Sequence, residues 1–446
     1  MRVVLPHPEM FAALVESVLG CQLQRPVKGI TTDSREIKEY DLYIALKGDK
    51  VDGHEFIKNA KNLGASAALL SIPNDKILIQ QIKVDSPLLA IGKIANMWRK
   101  RFDIPVIGVT GSNGKTSTKD LLSHVLSSNF CVHATEGNFN TDIGLPLTLL
   151  QIDSSHTLSI VELGASVPGE IEKLCEIAEP THGVITNVAP AHLEGFGSLE
   201  TIAHEKGALF RSLKNGISFV NETDELVSKI IFEGNRITFG LSPDCNFPAD
   251  IYHEKDGSLT IILDTHEIPT GSHNLSFIKN SIAVSAIAIS LGIDWGNLKN
   301  RIQSFLPPKG RCEVKKINQI TIIDDTYNAN LVSSLAALDY LKAFSGNGKR
   351  IFVFGDMFEL GSSSNDQHRK IGEKCSELAL DSVFTLGQST IYTDSAIKDN
   401  IEHQHFDSKK VMIETLKKKI GKGDKILFKG SRGMEMEKVI EGVFFL

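Results

Sequence analysis

Residues 107–118 read Ile107-Gly108-Val109-Thr110-Gly111-Ser112-Asn113-Gly114-Lys115-Thr116-Ser117-Thr118. An apolar run enters a glycine-rich turn, and a lysine and hydroxyls then open a segment in which Leu121, Leu122, Val125 and Leu126 share one helical face. Glycines in such a turn let backbone N–H groups crowd around phosphate oxygens. Lys115 adds a point charge, and Thr116 offers a hydroxyl to Mg²⁺ at the positive end of the helix. The stretch therefore predicts a nucleoside-triphosphate site of P-loop type running from Gly111 through Ser112, Asn113, Gly114, Lys115 and Thr116 to Ser117. The general phosphate-loop spacing asks for glycine where this chain has Val109, with Gly108 and Gly111 to either side. An ordinary strand-to-helix turn is the alternative, and the adjacent Gly114-Lys115-Thr116 favours the nucleotide.

At 446 residues the chain is too long for one core and divides by size into about three domains. Lys and Arg number 48 against 54 Asp and Glu, a net charge of −6, and no basic or aromatic-basic run suggests a nucleic-acid track. A phosphate-rich ligand must then be held locally. Cys21, Cys131, Cys175, Cys245, Cys312 and Cys375 are scattered, without Cys-x-x-Cys or metal-ligand spacing, and read as buried small hydrophobes of a cytoplasmic protein. The first residues, MRVVLPHPEM, lack the pattern of a signal peptide. The apolar stretch from Ser281 to Ile293 is too short to cross a bilayer, so no membrane insertion is expected.

The segment 1–100 reads as a smaller mixed domain, with strands near Asp41 to Leu46 and Ala67 to Leu70 and a helix near Glu55 to Leu63. Arg99-Lys100-Arg101 and Pro105 mark its end. From 101 to 310 strands at Ile104 to Val109, Thr157 to Val161 and Gly183 to Thr186 alternate with helical stretches. Pro307-Pro308-Lys309-Gly310 reads as a linker. From 311 to 446, runs at Ile320 to Ile323, Ile351 to Phe354, Ser382 to Leu386 and Lys425 to Phe428 are spaced by helix-length segments. The expectation is an α/β fold whose central P-loop-type sheet is followed by a Rossmann-like parallel sheet. In such sheets ligands gather beyond the carboxyl ends of the strands. There the chain places TGSNGKT, ELGAS, NVAPAHLEGFGS, DDTYNAN, GDMFELG and KGSRGMEME.

Several residues in these loops carry candidate chemistry. Glu162 ends a strand at the rim of the phosphate site, where a hard cation needs only one or two protein oxygens. His192 lies in the next loop, and Lys206, on a helix, reads by periodicity as a surface lysine. Asn274 and Asn280 flank the start of a long apolar helix, where an amide caps the helix or reads a base edge. In the last segment Asp324, Asp325, Tyr327, Asn328 and Asn330 cluster at one strand end, Asp356 and Glu359 at a second, and Lys429, Ser431 and Arg432 at a third. Six or more polar groups there exceed what packing needs and point to a binding surface, with helix caps accounting for some.

In these motifs, together with Thr32-Asp33-Ser34-Arg35, Asp52-Gly53-His54-Glu55-Phe56 and EGNFNTDIGLPLTLL, the chain resembles the Mur ligases, ATP-dependent amide-bond-forming enzymes of peptidoglycan synthesis. The resemblance spans nearly the whole length. It implies that Ser34 and Arg35 grip a uridine-diphosphate sugar, and that Lys115 and Thr116 hold ATP and a first Mg²⁺. It also implies that Glu162 and His192 serve a second Mg²⁺, and that Lys206 is carbamylated by CO₂, which overturns its reading as a surface lysine. Arg311 of the KGR element and Asp325 fall to the nucleotide, and Asn138 of the Gly-Asn-x-Asn element lies near the acyl-accepting end. Either Asn274 or Asn280 reads adenine. The last-domain motifs fit the branch that joins D-alanyl-D-alanine to UDP-N-acetylmuramoyl-tripeptide, so Tyr327, Asn328, Asn330, Asp356, Lys429, Ser431 and Arg432 are expected at substrate. The Asp-Asn-Pro-Arg-type motif of the branch that adds the third residue is missing. Folylpolyglutamate synthases lack the TDSR domain. A monomeric ligase is implied; a nucleotide-dependent regulatory protein is the reading from another class.

Overall fold

A computed structural model describes residues 2–48 and 50–445. Three sheets follow one another along the chain. The first has five strands in the spatial order Arg2–Val4, Gly29–Thr31, Asp41–Ile44, Ala67–Leu70 and Gln80–Lys83, parallel except for the first pair. The helix expected at Glu55 to Leu63 is a 3₁₀ turn, Gly53–Phe56, running into an α-helix at Ile57–Asn62.

The central sheet has nine strands. From one edge they run Val132–Ala134, Leu158–Glu162, Val106–Thr110, His182–Ile185, Ile217–Asn221 and Asn235–Gly240, all parallel. Phe247–His253 continues parallel, and Leu259–Leu263 and His266–Ser272 fold back as an antiparallel arm. Val106–Thr110 is buried at every residue because helices cover both faces, which is why it reads as a continuous apolar run. Leu121, Leu122, Val125 and Leu126 of the helix Lys115–Leu126 pack under one face with Ile107 and Val109. Val106, Val161, Ile171, Leu209 and Phe210 fill the other.

The third sheet runs Glu313–Ile317, Ile320–Asp325, Lys425–Lys429, Arg350–Gly355, Ser382–Leu386 and Glu402–Phe406, parallel apart from its first edge strand. Its Rossmann-like character is as expected. The carboxyl ends of the central and third sheets face each other across one cavity, so the motif-bearing loops of both meet there.

The first and central sheets share a core. The helix Pro87–Arg99 buries Ile91, Ile94, Ala95 and Trp98 in an apolar cluster that runs unbroken from Val3, Leu14 and Ile30 to Leu145, Leu174 and Leu209. Trp98 is fully buried, and its Nε1 donates to the Ile152 carbonyl at 3.0 Å. Arg99 Nε donates to the Ala178 carbonyl at 2.9 Å, and Asn96 Nδ2 to those of Glu176 and Ile177, both at 3.0 Å. Removing a buried indole leaves a cavity that its surroundings only partly fill. Trp98→Ala is therefore expected to lower stability by about 3–5 kcal/mol, read as a shift in the urea unfolding midpoint. A loss near zero would show that this helix does not weld the two sheets.

Candidate active site

The phosphate turn is gripped from behind. Ser112 N donates to the Asn187 carbonyl at 3.0 Å, Asn113 N to Asn187 Oδ1 at 3.1 Å, and Thr186 Oγ1 to the Asn113 carbonyl at 2.6 Å. Ser112 Oγ donates to the Ala189 carbonyl at 2.8 Å and accepts from Ala189 N at 2.9 Å. Gly111 has φ +142°, and a Cβ there would stand 2.0 Å from Thr186 Oγ1, so nothing but glycine fits. Gly114, at φ +80°, starts the helix Lys115–Leu126 with no side chain capping it. Its first N–H groups stay open to an anion. Lys115 Nζ folds back to the Gly111 carbonyl at 2.7 Å. Burial pushes its ammonium below the usual lysine range, with Arg311 adding to the shift and Glu162 opposing it. All of Ser112 to Ser117 line a cavity of about 660 Å³ between the central and third sheets.

The same cavity is built to hold a hard cation. Glu162 is buried; Oε1 accepts from Asn140 Nδ2 at 2.8 Å, while Oε2 is buried with no hydrogen-bond partner. A carboxylate oxygen in that position calls for a cation. The Thr116 hydroxyl and the His192 ring line the cavity with it. Among the described residues no three acidic, histidine or cysteine side chains form a protein-only cage. A cation here would need ligand oxygens to complete its shell, the mode suited to Mg²⁺. The donor set of Thr116, Glu162 and His192 therefore fits the expected metal.

Lys206, on the helix Leu199–Ser212, is only 2% exposed, its ammonium 5.4 Å from the centre of the Phe196 ring. Among the described residues no carboxylate lies within ion-pairing distance of it. Burial, with Lys115 adding to it, lowers Lys206 to about 7, against weaker pulls from Glu205 and Glu170. The surface reading from periodicity is thus corrected. Lys206 stands on the inward stripe between Ile202 and Leu209, a signal that the spacing did carry.

The third sheet closes the cavity. Arg311 Nη2 donates to Thr116 Oγ1 at 2.8 Å, and its guanidinium lies 3.9 Å above the Tyr327 ring. Asn330 caps the helix Leu331–Ala343 and donates to Asn113 Oδ1 at 2.6 Å. Glu359 meets His192 Nδ1 in a very short hydrogen bond. Lys429 is buried, paired with Asp325 Oδ2 at 2.5 Å and donating to the Asn328 carbonyl at 2.9 Å. Asp325, Tyr327, Asn328, Asn330 and Lys429 all line the cavity.

Other expected contacts lie elsewhere. The buried Asp356 carboxylate accepts from the backbone N–H groups of Gln388, Ser389 and Thr390 at 2.8, 3.0 and 2.8 Å; three donors satisfy it, and it braces a loop instead of facing the cavity. Ser431 Oγ accepts from Phe358 N at 2.8 Å and is likewise a buried brace. Arg432 is exposed and paired with Glu437. Asn138 is exposed and off the cavity lining; its neighbour Asn140, which the sequence reading passed over although it ends the quoted Gly-Asn-Phe-Asn run, is the one that reaches Glu162. Ser34 and Arg35 belong to the first sheet's loops, Ser34 buried and Arg35 exposed beside Asp33. Asn274 caps the helix Leu275–Ser290 through Ser276 N and Phe277 N. Asn280 faces the phosphate turn, 3.0 Å from where a Gly114 Cβ would stand, and its amide is the one left for a ligand.

The model of the Mur ligase middle domain matches residues 109–288, that of the Mur ligase glutamate ligase domain residues 310–432, and that of the Mur ligase family catalytic domain residues 26–99. The chain belongs to the Mur ligase family. Within it, the UDP-N-acetylmuramoyl-tripeptide--D-alanyl-D-alanine ligase of Bacillus subtilis (strain 168) is 34% identical over 429 residues, covering 94% of this chain and 93% of that protein. The Synechocystis protein of the same name is 37% identical over 426 residues, covering 93% and 91%. Among solved structures, MurF from Acinetobacter baumannii superposes with a TM-score of 0.88 at 28% identity, covering 97% of this chain and 98% of that one. The MurF ligase from Thermotoga maritima in complex with ADP gives 0.82 at 30% identity, covering 93% and 96%.

The buried lysine of this Mur ligase makes its stability depend on pH. Folded, Lys206 holds its proton less tightly than unfolded, so stability rises with pH between about 7 and the ordinary lysine value of 10.5. In CO₂-free buffer, raising the pH from about 7.5 to 9.5 should stabilise the parent by about 2 kcal/mol relative to Lys206→Met. Parallel pH profiles of the two unfolding midpoints would mean that the amine is not depressed.

Proposed function

We propose that this chain is an ATP-dependent amide-bond-forming ligase that couples D-alanyl-D-alanine to UDP-N-acetylmuramoyl-tripeptide, yielding the pentapeptide, ADP and phosphate in peptidoglycan synthesis. The observation that carries the reading is the single cavity in which the phosphate turn, the orphaned Glu162 oxygen and the third sheet's loops converge. Relatives that bear this ligase's name match more than nine-tenths of the chain.

A carboxylate is a poor electrophile, and phosphorylation by ATP turns the tripeptide's terminal carboxylate into an acyl phosphate. Phosphoryl transfer rests on positioning and charge neutralisation. The turn at Gly111 to Gly114 and the open end of its helix receive the phosphates. Lys115 and Arg311 bring positive charge from opposite sheets, and Asn280 stands ready for the nucleotide. Mg²⁺ held by Thr116, Glu162 and His192 would neutralise phosphate charge there. The dipeptide amine then attacks the acyl carbon, the acyl–phosphate bond breaks and phosphate leaves with the amine's proton, while Lys115 and Arg311 stabilise the tetrahedral oxyanion. His192 gives Nδ1 to Glu359, and its other nitrogen stands in the cavity that Thr116 and the orphaned Glu162 oxygen also line, so it serves as a ligand. The Arg311, Asn330 and Glu359 contacts exclude water from the acyl phosphate when the third domain closes.

Lys206, lowered to about 7, is substantially neutral near physiological pH and can add CO₂ to give a carbamate with release of a proton. Its positive charge becomes negative beside the cation site. Ser34 and Arg35 grip the sugar-nucleotide end. A monomer is the proposed working form. Six free cysteines suit the cytoplasm, and among the described residues no helix is long and apolar enough to cross a membrane.

Mixing the enzyme with ATP, Mg²⁺, UDP-muramoyl-tripeptide and D-alanyl-D-alanine should yield the pentapeptide mass, with ADP release that single amino acids do not support. Lys115→Ala should cut that turnover by at least about 100-fold while sugar-nucleotide binding survives; full turnover would refute the ATP site. Lys206→Ala should be inactive and partly rescued by acetate or propionate, and a fully active variant would remove the carbamate.

A further inference from the structure

The loop that follows Arg350–Gly355 in the third sheet closes over residues 192–194 of the central one. His192 Nδ1 and the Glu359 carboxylate share a very short hydrogen bond, and a Cβ on Gly361 would lie 3.8 Å from the Glu194 side chain. Both partners sit on left-handed backbone, at φ +52° for His192 and +61° for Glu359. Non-glycine residues are disfavoured there and persist where surrounding structure over-determines them, commonly at functional sites. Two loops from different sheets thus hold strained backbone so that these two side chains can meet.

A histidine whose one ring nitrogen donates to a carboxylate presents the other as a lone pair on the opposite side. For His192 the engaged nitrogen is Nδ1; among the described residues the ring makes no other hydrogen bond, and His192 lines the cavity beside Thr116 and Glu162. Glu359 is 62% exposed and stands on a loop of the third sheet, so it reaches the histidine only where that sheet sits against the central one. We propose that Glu359 is a positioning residue that fixes His192 as its Nδ1–H tautomer on closure and aims Nε2 at the cation and phosphates. This rests on the ligase reading for the presence of a cation. It makes cation binding and domain closure mutually reinforcing, since whatever favours one must favour the other.

Mn²⁺ binding to the full chain, measured by electron paramagnetic resonance with adenylyl imidodiphosphate present, separates positioning from simple bracing. Loss of such an orienting carboxylate typically weakens metal binding by about 10–100-fold. That loss is expected for Glu359→Ala, while Glu359→Gln, whose amide oxygen still accepts from Nδ1–H, should recover most of it. Nucleotide affinity without metal and the thermal midpoint should stay at parent values, because the carboxylate is largely exposed. Equal Mn²⁺ affinity in the parent and Glu359→Ala overturns the inference, as does an equal loss of nucleotide binding in the absence of metal. A parent that holds no Mn²⁺ with the nucleotide overturns the ligase reading first and this inference with it.

Discussion

Gly111 has no room for a side chain, and the site follows from that constraint. The turn after Val106–Thr110 must pass within hydrogen-bond reach of the Thr186 to Ala189 loop, and only a glycine at φ +142° lets it do so. Once there, six hydrogen bonds with Thr186, Asn187 and Ala189 hold the turn, and the helix behind it begins without a side-chain cap. The lysine, the threonine hydroxyl and the free N–H groups then have fixed directions. Every other wall of the cavity is arranged around that anion cradle.

The electrostatics of the cavity follow from the same crowding. Lys115 and Arg311 bring positive charge into one cavity, and Lys206 stands near enough to feel the charge of Lys115, in a protein whose net charge is −6. Lys115 and Lys206 are lowered by burial and by positive neighbours, so both hold their protons poorly, and a polyanion at the turn would restore the charge of Lys115. Local focusing takes the place of the long-range field that a basic protein would supply.

Local patterns were readable from the sequence, and long-range partnerships were not. The phosphate turn, its helix and the strands at Ala67–Leu70 and Ser382–Leu386 stand where spacing puts them, because a turn and an apolar period are short-range facts. The antiparallel arm at 247–272 was missed although Asp256-Gly257 before Leu259-Thr260-Ile261 is a hairpin signature; an expectation of alternating strands and helices overrode it. Glu402–Phe406 was missed because an edge strand reading EHQHF has no apolar run. Asp356 and Ser431 were expected at substrate since both end strands in polar loops, yet backbone donors and acceptors already occupy them. His192 and Glu359 are 167 residues apart, and no spacing rule joins them.

The core shared by the first two sheets sets the size of the heritable module. A recombinant that exchanged the first domain would have to carry the helix Pro87–Arg99 along and re-match its indole to the apolar cluster it shares with Leu145, Leu149 and Ile152. The third sheet has its own two apolar layers and touches the rest mainly through polar groups, which frees it to diversify. Exchange of the third domain is therefore easier for this architecture than exchange of the first, and the difference lies largely in a single buried tryptophan.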